Sequence, residues 1–136
     1  MPELPEVETV RRTLSGLVAG KTVESVDVRL ARIVRTPAEP EAFARTLAGL
    51  TIESVGRRGK YLLFDFGELT LVSHLRMEGR YGLYAAGDGM EPHTHVVFRF
   101  TDGTELRYRD VRQFGTMDIY RTEELAAAPP LAALGP

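Results

Sequence analysis

From Thr51 to Arg121 the sequence consists of short runs of alternating apolar and polar residues, separated by glycine-rich turns. The alternation predicts strands near residues 51–57, 60–66, 69–76, 80–86, 94–100, 104–110 and 116–121. Tight-turn signals such as Asp102-Gly103 separate these runs. Many short strands joined by tight turns are typical of an antiparallel sandwich or a flattened barrel.

The residues before Thr51 add two helices and an extended segment to this pattern. Residues 5–18 place apolar side chains from Val7 to Val18 at helical spacing, and Gly20 supplies a stop. Residues 22–35 alternate as an extended segment, and a short helix is predicted over residues 40–48. We therefore predict an α+β fold: an antiparallel β-sandwich or flattened barrel of about eight strands, flanked by an N-terminal helix and a second short helix.

The length of 136 residues, 43% of them hydrophobic, suits one domain with its own core. We assign residues 1–121 to this domain and residues 122–136 to the start of an interdomain linker, because the alternation stops there and Pro129-Pro130 stiffens the segment. The chain has no cysteine, no apolar run of roughly 20 residues and no signal-peptide pattern. We expect a cytoplasmic protein without a membrane segment.

The net charge of −2 argues against a self-sufficient nucleic-acid binder, since phosphate neutralisation supplies most of the affinity of such domains. Basic residues nevertheless cluster at residues 57–60 and again at residues 107–112. On charge alone, a mixed solvated surface is the favoured interpretation.

Pro2 and its neighbours form a candidate catalytic group. If Met1 is removed, Pro2 presents an α-amine, which titrates about 2–3 units below a lysine and is therefore neutral more often at pH 7. A neutral amine can attack an electrophilic sugar carbon and form an iminium. Glu3 and Glu6 place two carboxylates nearby, either as general acid/base groups or as simple compensation of a helix N-terminus. Spacing alone leaves both interpretations open.

Five motifs resemble the bacterial formamidopyrimidine-DNA glycosylases in their order and spacing, over essentially the whole chain. They are PELPEVETVRR (2–12), RRGKYLLF (57–64), SHLRMEGRY (73–81), PHTHVVFRFTDG (92–103) and RYRDVRQFGTM (107–117). The resemblance implies an enzyme that removes oxidised purines, chiefly 8-oxoguanine and formamidopyrimidines, and then cuts the strand at the abasic site. It also implies a monomer whose partner is double-stranded DNA with oxidised bases or abasic sites.

The resemblance assigns roles to five residues of the catalytic and phosphate-binding region. Pro2 matches the nucleophile that forms a Schiff base at the deoxyribose C1′, and Glu3 matches the general acid/base. Glu6 matches a second acidic position that helps to organise the site. Lys60 matches a lysine near the lesion and the DNA backbone, and His74 matches a position that contacts phosphate.

Met77, Arg112 and Phe114 match the three residues that fill the gap left by the extruded nucleotide. Methionine and phenylalanine can wedge between bases, and an arginine can donate to the orphaned base. Taken singly, Met77 could pack within its loop, Phe114 could belong to the core, and Arg112 could pair with Asp110.

The family continues into a helical DNA-binding domain and a four-cysteine zinc finger with one zinc, and neither is present in these 136 residues. We therefore expect no cofactor in this segment and weak DNA binding by it alone. His93 and His95 would share a strand face, but no third metal ligand is evident. Two alternatives remain: the related endonuclease branch that acts on oxidised pyrimidines, and a non-catalytic module that binds damaged DNA.

Overall fold

The structure, a computed structural model, describes residues 4–127, which form two helices, two 3-10 turns and nine strands. The helices are α1 (Leu4–Val18) and α2 (Pro40–Leu47), and the 3-10 turns are Ala31–Ile33 and Thr122–Ala127. The strands are β1 (Val23–Val28), β2 (Val34–Thr36), β3 (Ser54–Arg58), β4 (Tyr61–Asp65), β5 (Leu69–His74), β6 (Arg80–Ala85), β7 (Thr94–Phe100), β8 (Thr104–Arg109) and β9 (Thr116–Arg121).

The strands form two sheets that share one apolar core. The four-stranded sheet has the order β1-β7-β8-β6, and the five-stranded sheet has the order β2-β9-β5-β4-β3. Within the described residues all pairings are antiparallel except that of β2 with β9. Phe64 of β4 and Tyr81 of β6 meet edge to face across the interior, with ring centroids 5.5 Å apart. The predicted α+β fold class is confirmed, and the two sheets form a sandwich rather than a closed barrel.

The extended segment at residues 22–35 is divided between the two sheets, which raises the strand number from the predicted eight to nine. The backbone N–H groups of Arg29 and Leu30 both donate to the carbonyl of His95, and the 3-10 turn follows directly. The chain then crosses to pair β2 with β9. Residues 128–136 lie outside the described residues, so the domain and linker boundaries stay a prediction.

Helix α1 packs on the five-stranded sheet through Val7, Leu14 and Val18, which are all buried. Glu8 lies at the edge of this contact, where its carboxylate accepts hydrogen bonds from Arg11 at 2.7 Å and from Arg57 of β3 at 2.8 Å. These ion pairs fix the helix whose first turn carries Glu6. Neither helix of the described chain is long and apolar enough to cross a membrane.

Candidate nucleic-acid interface

Sheet register brings three distant segments of the sequence to one end of the five-stranded sheet. Tyr61, at the start of β4, pairs with His74, at the end of β5, and His74 also pairs with Thr116, at the start of β9. The turn with Lys60, the loop at residues 75–79 and the loop at residues 110–115 therefore lie at this same edge. We call these two loops the wedge loops, and we call this end of the sheet, where strands β4, β5 and β9 begin or end, the wedge-loop edge.

The wedge loops expose the three residues that the resemblance assigned to the nucleotide gap. Met77 is 57% exposed and Phe114 is 56% exposed, so neither belongs to the core. The side chain of Arg112 is 55% exposed, with its Nε 3.6 Å from a carboxylate oxygen of Glu78 on the other loop. The wedge loops are thus neighbours, and Arg112 pairs with Glu78 rather than with Asp110.

Asp110 holds the second wedge loop in shape. Its carboxylate is buried and accepts four hydrogen bonds. One oxygen accepts from the backbone N–H groups of Arg112 and Gln113, at 3.2 and 3.0 Å. The other oxygen accepts from the N–H of Gly115 at 2.8 Å and from the hydroxyl of Tyr108 at 2.9 Å. Our sequence interpretation missed this role, although an aspartate that opens a short loop before a glycine is a signal for such backbone capping.

His74 is a neutral hydrogen-bond donor at this edge. It is 6% exposed, and its ring meets that of Tyr61 edge to face, with centroids 4.8 Å apart. Burial, followed by the positive charges of Arg76, Lys60 and Arg35, lowers the pKa of His74 to about 4. Its Nδ1 accepts the backbone N–H of Arg76 at 2.9 Å, so the proton of the neutral ring is on Nε2.

Cationic side chains surround this histidine. Lys60 follows Gly59, whose φ of +60° lets the β3–β4 turn close tightly. Arg35 of β2 binds the buried carboxylate of Asp118 at 2.7 Å and remains 45% exposed. Arg76 has a φ of +57°, and its Nε is buried without a hydrogen-bond partner among the described residues. The edge therefore combines positive charge with a neutral N–H donor.

The basic cluster at residues 107–112 is not one continuous surface, because Arg107 is buried whereas Arg109 and Arg112 are at least partly exposed. Arg107 is 1% exposed, binds Glu105 at 2.7 Å and donates to the backbone carbonyls of Asp88 and Gly89. Its guanidinium also lies 4.3 Å from the ring centroid of Tyr84. Arg107 therefore holds the connection between β6 and β7, and its buried side chain does not share a surface with the loop at residues 110–115.

The remaining candidates are only partly placed. Pro2 and Glu3 lie outside the described residues, and Glu6 is exposed in the first turn of α1. His95 is buried and donates from Nε2 to the carbonyl of Asp110 at 2.7 Å, whereas His93 is exposed with a φ of +65°. Between residues 4 and 127 no group of three or more His, Cys, Asp or Glu side chains could hold a metal ion.

The fold and the motifs agree with one protein family. Residues 1–117 match the family described as "Formamidopyrimidine-DNA glycosylase N-terminal domain". The chain belongs to this family, which confirms the resemblance of its motifs.

Particular relatives carry the same name. The "Formamidopyrimidine-DNA glycosylase" of Bacillus licheniformis is 62% identical over 136 residues, which are 100% of this chain and 50% of that protein. The protein of this name from Brevibacillus brevis is 64% identical over 135 residues, or 99% of this chain and 49% of the relative. The chain thus spans about half the length of the curated relatives it matches.

Solved structures of similar fold contain DNA. The complex of Lactococcus lactis Fpg with DNA that contains an abasic site has a TM-score of 0.87 and 41% identity, over 93% of this chain and 46% of that chain. Complexes of the Lactococcus lactis protein with Fapy-dG DNA and with oxidised-pyrimidine DNA match with the same TM-score.

Proposed function

We propose that this chain is the N-terminal part of a base-excision repair enzyme that removes oxidised purines from DNA and then cleaves the strand at the abasic site. The observation that carries the proposal is the wedge-loop edge, where Met77, Arg112 and Phe114 are exposed beside a cationic surface. The names of the relatives and the DNA bound to the Lactococcus lactis protein support it. Such an enzyme would act in the cytoplasm on chromosomal DNA.

The wedge-loop edge suits the extrusion of a damaged nucleotide. Turning a nucleotide out of a duplex costs a few kcal/mol of stacking and pairing, so substitutes for the lost contacts are needed. Met77 and Phe114 would occupy the emptied space between the neighbouring bases, and Arg112 would donate to the base left without a partner. The burial of Asp110 keeps the second loop ordered before DNA arrives, which reduces the entropy lost on insertion.

The phosphate backbone would lie against the surface formed by Lys60, Arg76 and His74. Lys60 and Arg76 would neutralise phosphate charge. His74 would donate a directed hydrogen bond from Nε2 without carrying a charge, as its pKa of about 4 requires at neutral pH. The orientation of the sugar then follows from contacts on both of its flanking phosphates.

The chemistry in this proposal starts at Pro2. Its amine attacks the deoxyribose C1′ as the glycosidic bond breaks, and loss of the ring oxygen from C1′ gives a Schiff base. Glu3 supplies and removes the protons that these steps require, and Glu6 helps to organise the site. The resulting iminium withdraws electrons and acidifies the neighbouring C–H, so the strand can break by elimination. The zinc finger that the resemblance implies belongs to sequence beyond these 136 residues, and none of these steps runs through it.

The test is borohydride trapping of the full-length protein on an abasic duplex, with its intact mass read on the same sample to show whether Met1 is removed. We expect one covalent adduct, which Pro2→Gly abolishes or sharply reduces. We expect Glu3→Gln to stop base excision while DNA binding persists, and Glu24→Gln, an exposed control on β1, to behave as the wild type. Unchanged trapping with Pro2→Gly would refute the nucleophile. DNA affinity without any trapping by a protein that lacks Met1 would indicate a non-catalytic binding module.

Oxidised pyrimidines are a second candidate substrate, because one of the matching Lactococcus lactis complexes contains DNA of that kind. The Met77, Arg112 and Phe114 set favours the purine branch by resemblance. Excision rates on duplexes with 8-oxoguanine opposite cytosine, compared with duplexes that carry an oxidised pyrimidine, distinguish the two.

A further inference from the structure

The hydroxyl of Tyr108 lies where the two wedge loops meet. Tyr108 belongs to β8, is completely buried and donates to a carboxylate oxygen of Asp110 at 2.9 Å. It belongs to neither wedge loop. Nevertheless, the backbones of both loops close around its oxygen atom.

Two glycines show how close this approach is. A Cβ built on Gly115, in the second loop, would lie 1.6 Å from the Tyr108 oxygen. A Cβ built on Gly79, at the end of the first loop, would lie 2.7 Å from the same oxygen and 2.6 Å from the carbonyl oxygen of Leu75. Neither glycine has a positive φ, so the backbone conformation does not demand glycine at these positions. The phenol oxygen leaves no room for a side chain at Gly115, and at Gly79 the phenol oxygen and the backbone of Leu75 do so together.

The hydroxyl also completes hydrogen bonding within the loops. Gly79 closes the first loop by donating its N–H to Leu75 at 2.9 Å. Asp110 shapes the second loop, and the Tyr108 hydroxyl and the Gly115 N–H share one of its oxygens. Burial raises the pKa of Tyr108, so the phenol stays protonated and remains a donor throughout the working pH range. One protonated oxygen thus contacts both loops.

We propose that Tyr108 is a positioning residue that couples the two wedge loops, so that Met77 and the Arg112–Phe114 segment enter the base stack as one rigid unit. The inference rests on the proposed function, since it assumes that these loops displace a nucleotide. Three side chains that fill one gap must hold their spacing to within a fraction of the base-stacking distance. A buried hydrogen bond to a carboxylate, reinforced by two close backbone contacts, provides that constraint.

The first test compares Tyr108→Phe with the wild type in the full-length protein. The substitution removes one oxygen atom, leaving Asp110 with one donor fewer and the two glycines facing a gap. We expect excision of 8-oxoguanine from a duplex to slow about tenfold, the cost of one charge-assisted hydrogen bond. The fluorescence change of 2-aminopurine placed opposite the lesion should weaken in parallel. Borohydride trapping on a single-stranded abasic oligonucleotide, which has no partner strand to open, should stay within about twofold.

The matched control is Tyr81→Phe. Tyr81 is partly buried, its ring lies 5.2 Å from that of Tyr108, and its hydroxyl bonds to Ser73 at 2.6 Å rather than to a wedge loop. The Tyr81→Phe variant should lose as much thermal stability as Tyr108→Phe does. It should nevertheless keep excision and trapping near wild-type values. Wild-type excision by Tyr108→Phe would overturn the inference, as would an equal loss of trapping and excision.

A second test uses Gly115→Ala alone and together with Tyr108→Phe. Gly115→Ala should slow excision more than Tyr108→Phe does, because its Cβ overlaps the phenol oxygen. The double variant should recover part of the activity, since the severe overlap of 1.6 Å with the oxygen is gone and only a small shift away from Cζ, at 2.8 Å, is still needed. If the loss of excision rate in the double variant equals the product of the losses in the two single variants, the coupling is refuted. If the wild type excises no lesion, the proposed function fails as well; if it excises and the variants match it, only the coupling fails.

Discussion

His74 gives the edge a measurable acid sensitivity. In the folded chain its pKa is lowered to about 4 from an ordinary value of 6.5. Between these values the unfolded chain binds a proton that the folded chain does not, so the free energy of unfolding falls as the pH falls from about 6.5 to about 4. Above that window the contribution of His74 is constant.

The size of the effect follows from the two pKa values. Taken at full strength, acidification from about pH 7.5 to about pH 5 removes about 2 kcal/mol of stability through this one group. Solvent at the edge of the sheet screens part of the burial and of the surrounding charge, which leaves about 1–2 kcal/mol. This is a large share of the stability of a small domain.

The assay is urea unfolding of the 136-residue chain at both pH values. His74→Asn removes the titration but keeps an acceptor for the N–H of Arg76, so the variant should lose about 1–2 kcal/mol less than the wild type on acidification. His93→Asn is the control, because His93 is exposed and asparagine tolerates its φ of +65°. Its acid loss should equal that of the wild type. An equal loss in His74→Asn and the wild type would refute the assignment of a buried neutral imidazole.

Three further predictions separate charge, burial and base recognition. In DNA-binding titrations, Lys60→Ala should reduce the slope of log affinity against log salt by about 1, whereas His74→Asn should weaken binding without changing the slope. Glu105→Gln leaves a buried guanidinium without its carboxylate and should cost about 3–5 kcal/mol in urea unfolding. Glu123→Gln breaks the exposed ion pair with Arg121, which has a similar length, and should lower the free energy of unfolding by less than about 1 kcal/mol. Arg112→Ala should weaken discrimination of the base opposite the lesion by about 1–3 kcal/mol, measured as excision rates opposite each of the four bases.

The periodicity of the sequence predicted most of the fold because each strand has its own alternation and its own turn. The short helix α2 was predicted over residues 40–48 and ends at Leu47. The division of residues 22–35 could not be predicted in the same way. It depends on two hydrogen bonds to the carbonyl of His95, far away in sequence, and on pairing of β2 with β9. Local alternation carries no information about which sheet a strand joins.

The residues of the candidate interface could likewise be predicted only in part from the sequence. The resemblance to the family pointed to Met77, Arg112 and Phe114, and the structure shows that their side chains are exposed. The residues that hold them were missed, because Tyr108 has the pattern of an ordinary inward-facing strand residue and Gly115 that of an ordinary turn. Their roles exist only as a contact between a strand and two loops. The roles of Pro2 and Glu3 stay predictions, since both lie outside the described residues.

The net charge of −2 does not describe any one surface, because it sums charges that are not all available to a partner. In the structure, some acidic residues form ion pairs with arginines that stabilise the fold. Glu105 pairs with buried Arg107, and Asp118 pairs with Arg35. A phosphate would meet the local field at one end of a sheet, where burial and then the charges of Arg76, Lys60 and Arg35 lower the pKa of His74. Burial is the largest cause of that lowered pKa, and the part due to the neighbouring charges indicates a positive local potential beside the proposed DNA backbone. A chain with an acidic excess can therefore present a cationic edge, and the salt slope of the Lys60→Ala variant measures how much of that edge binds phosphate.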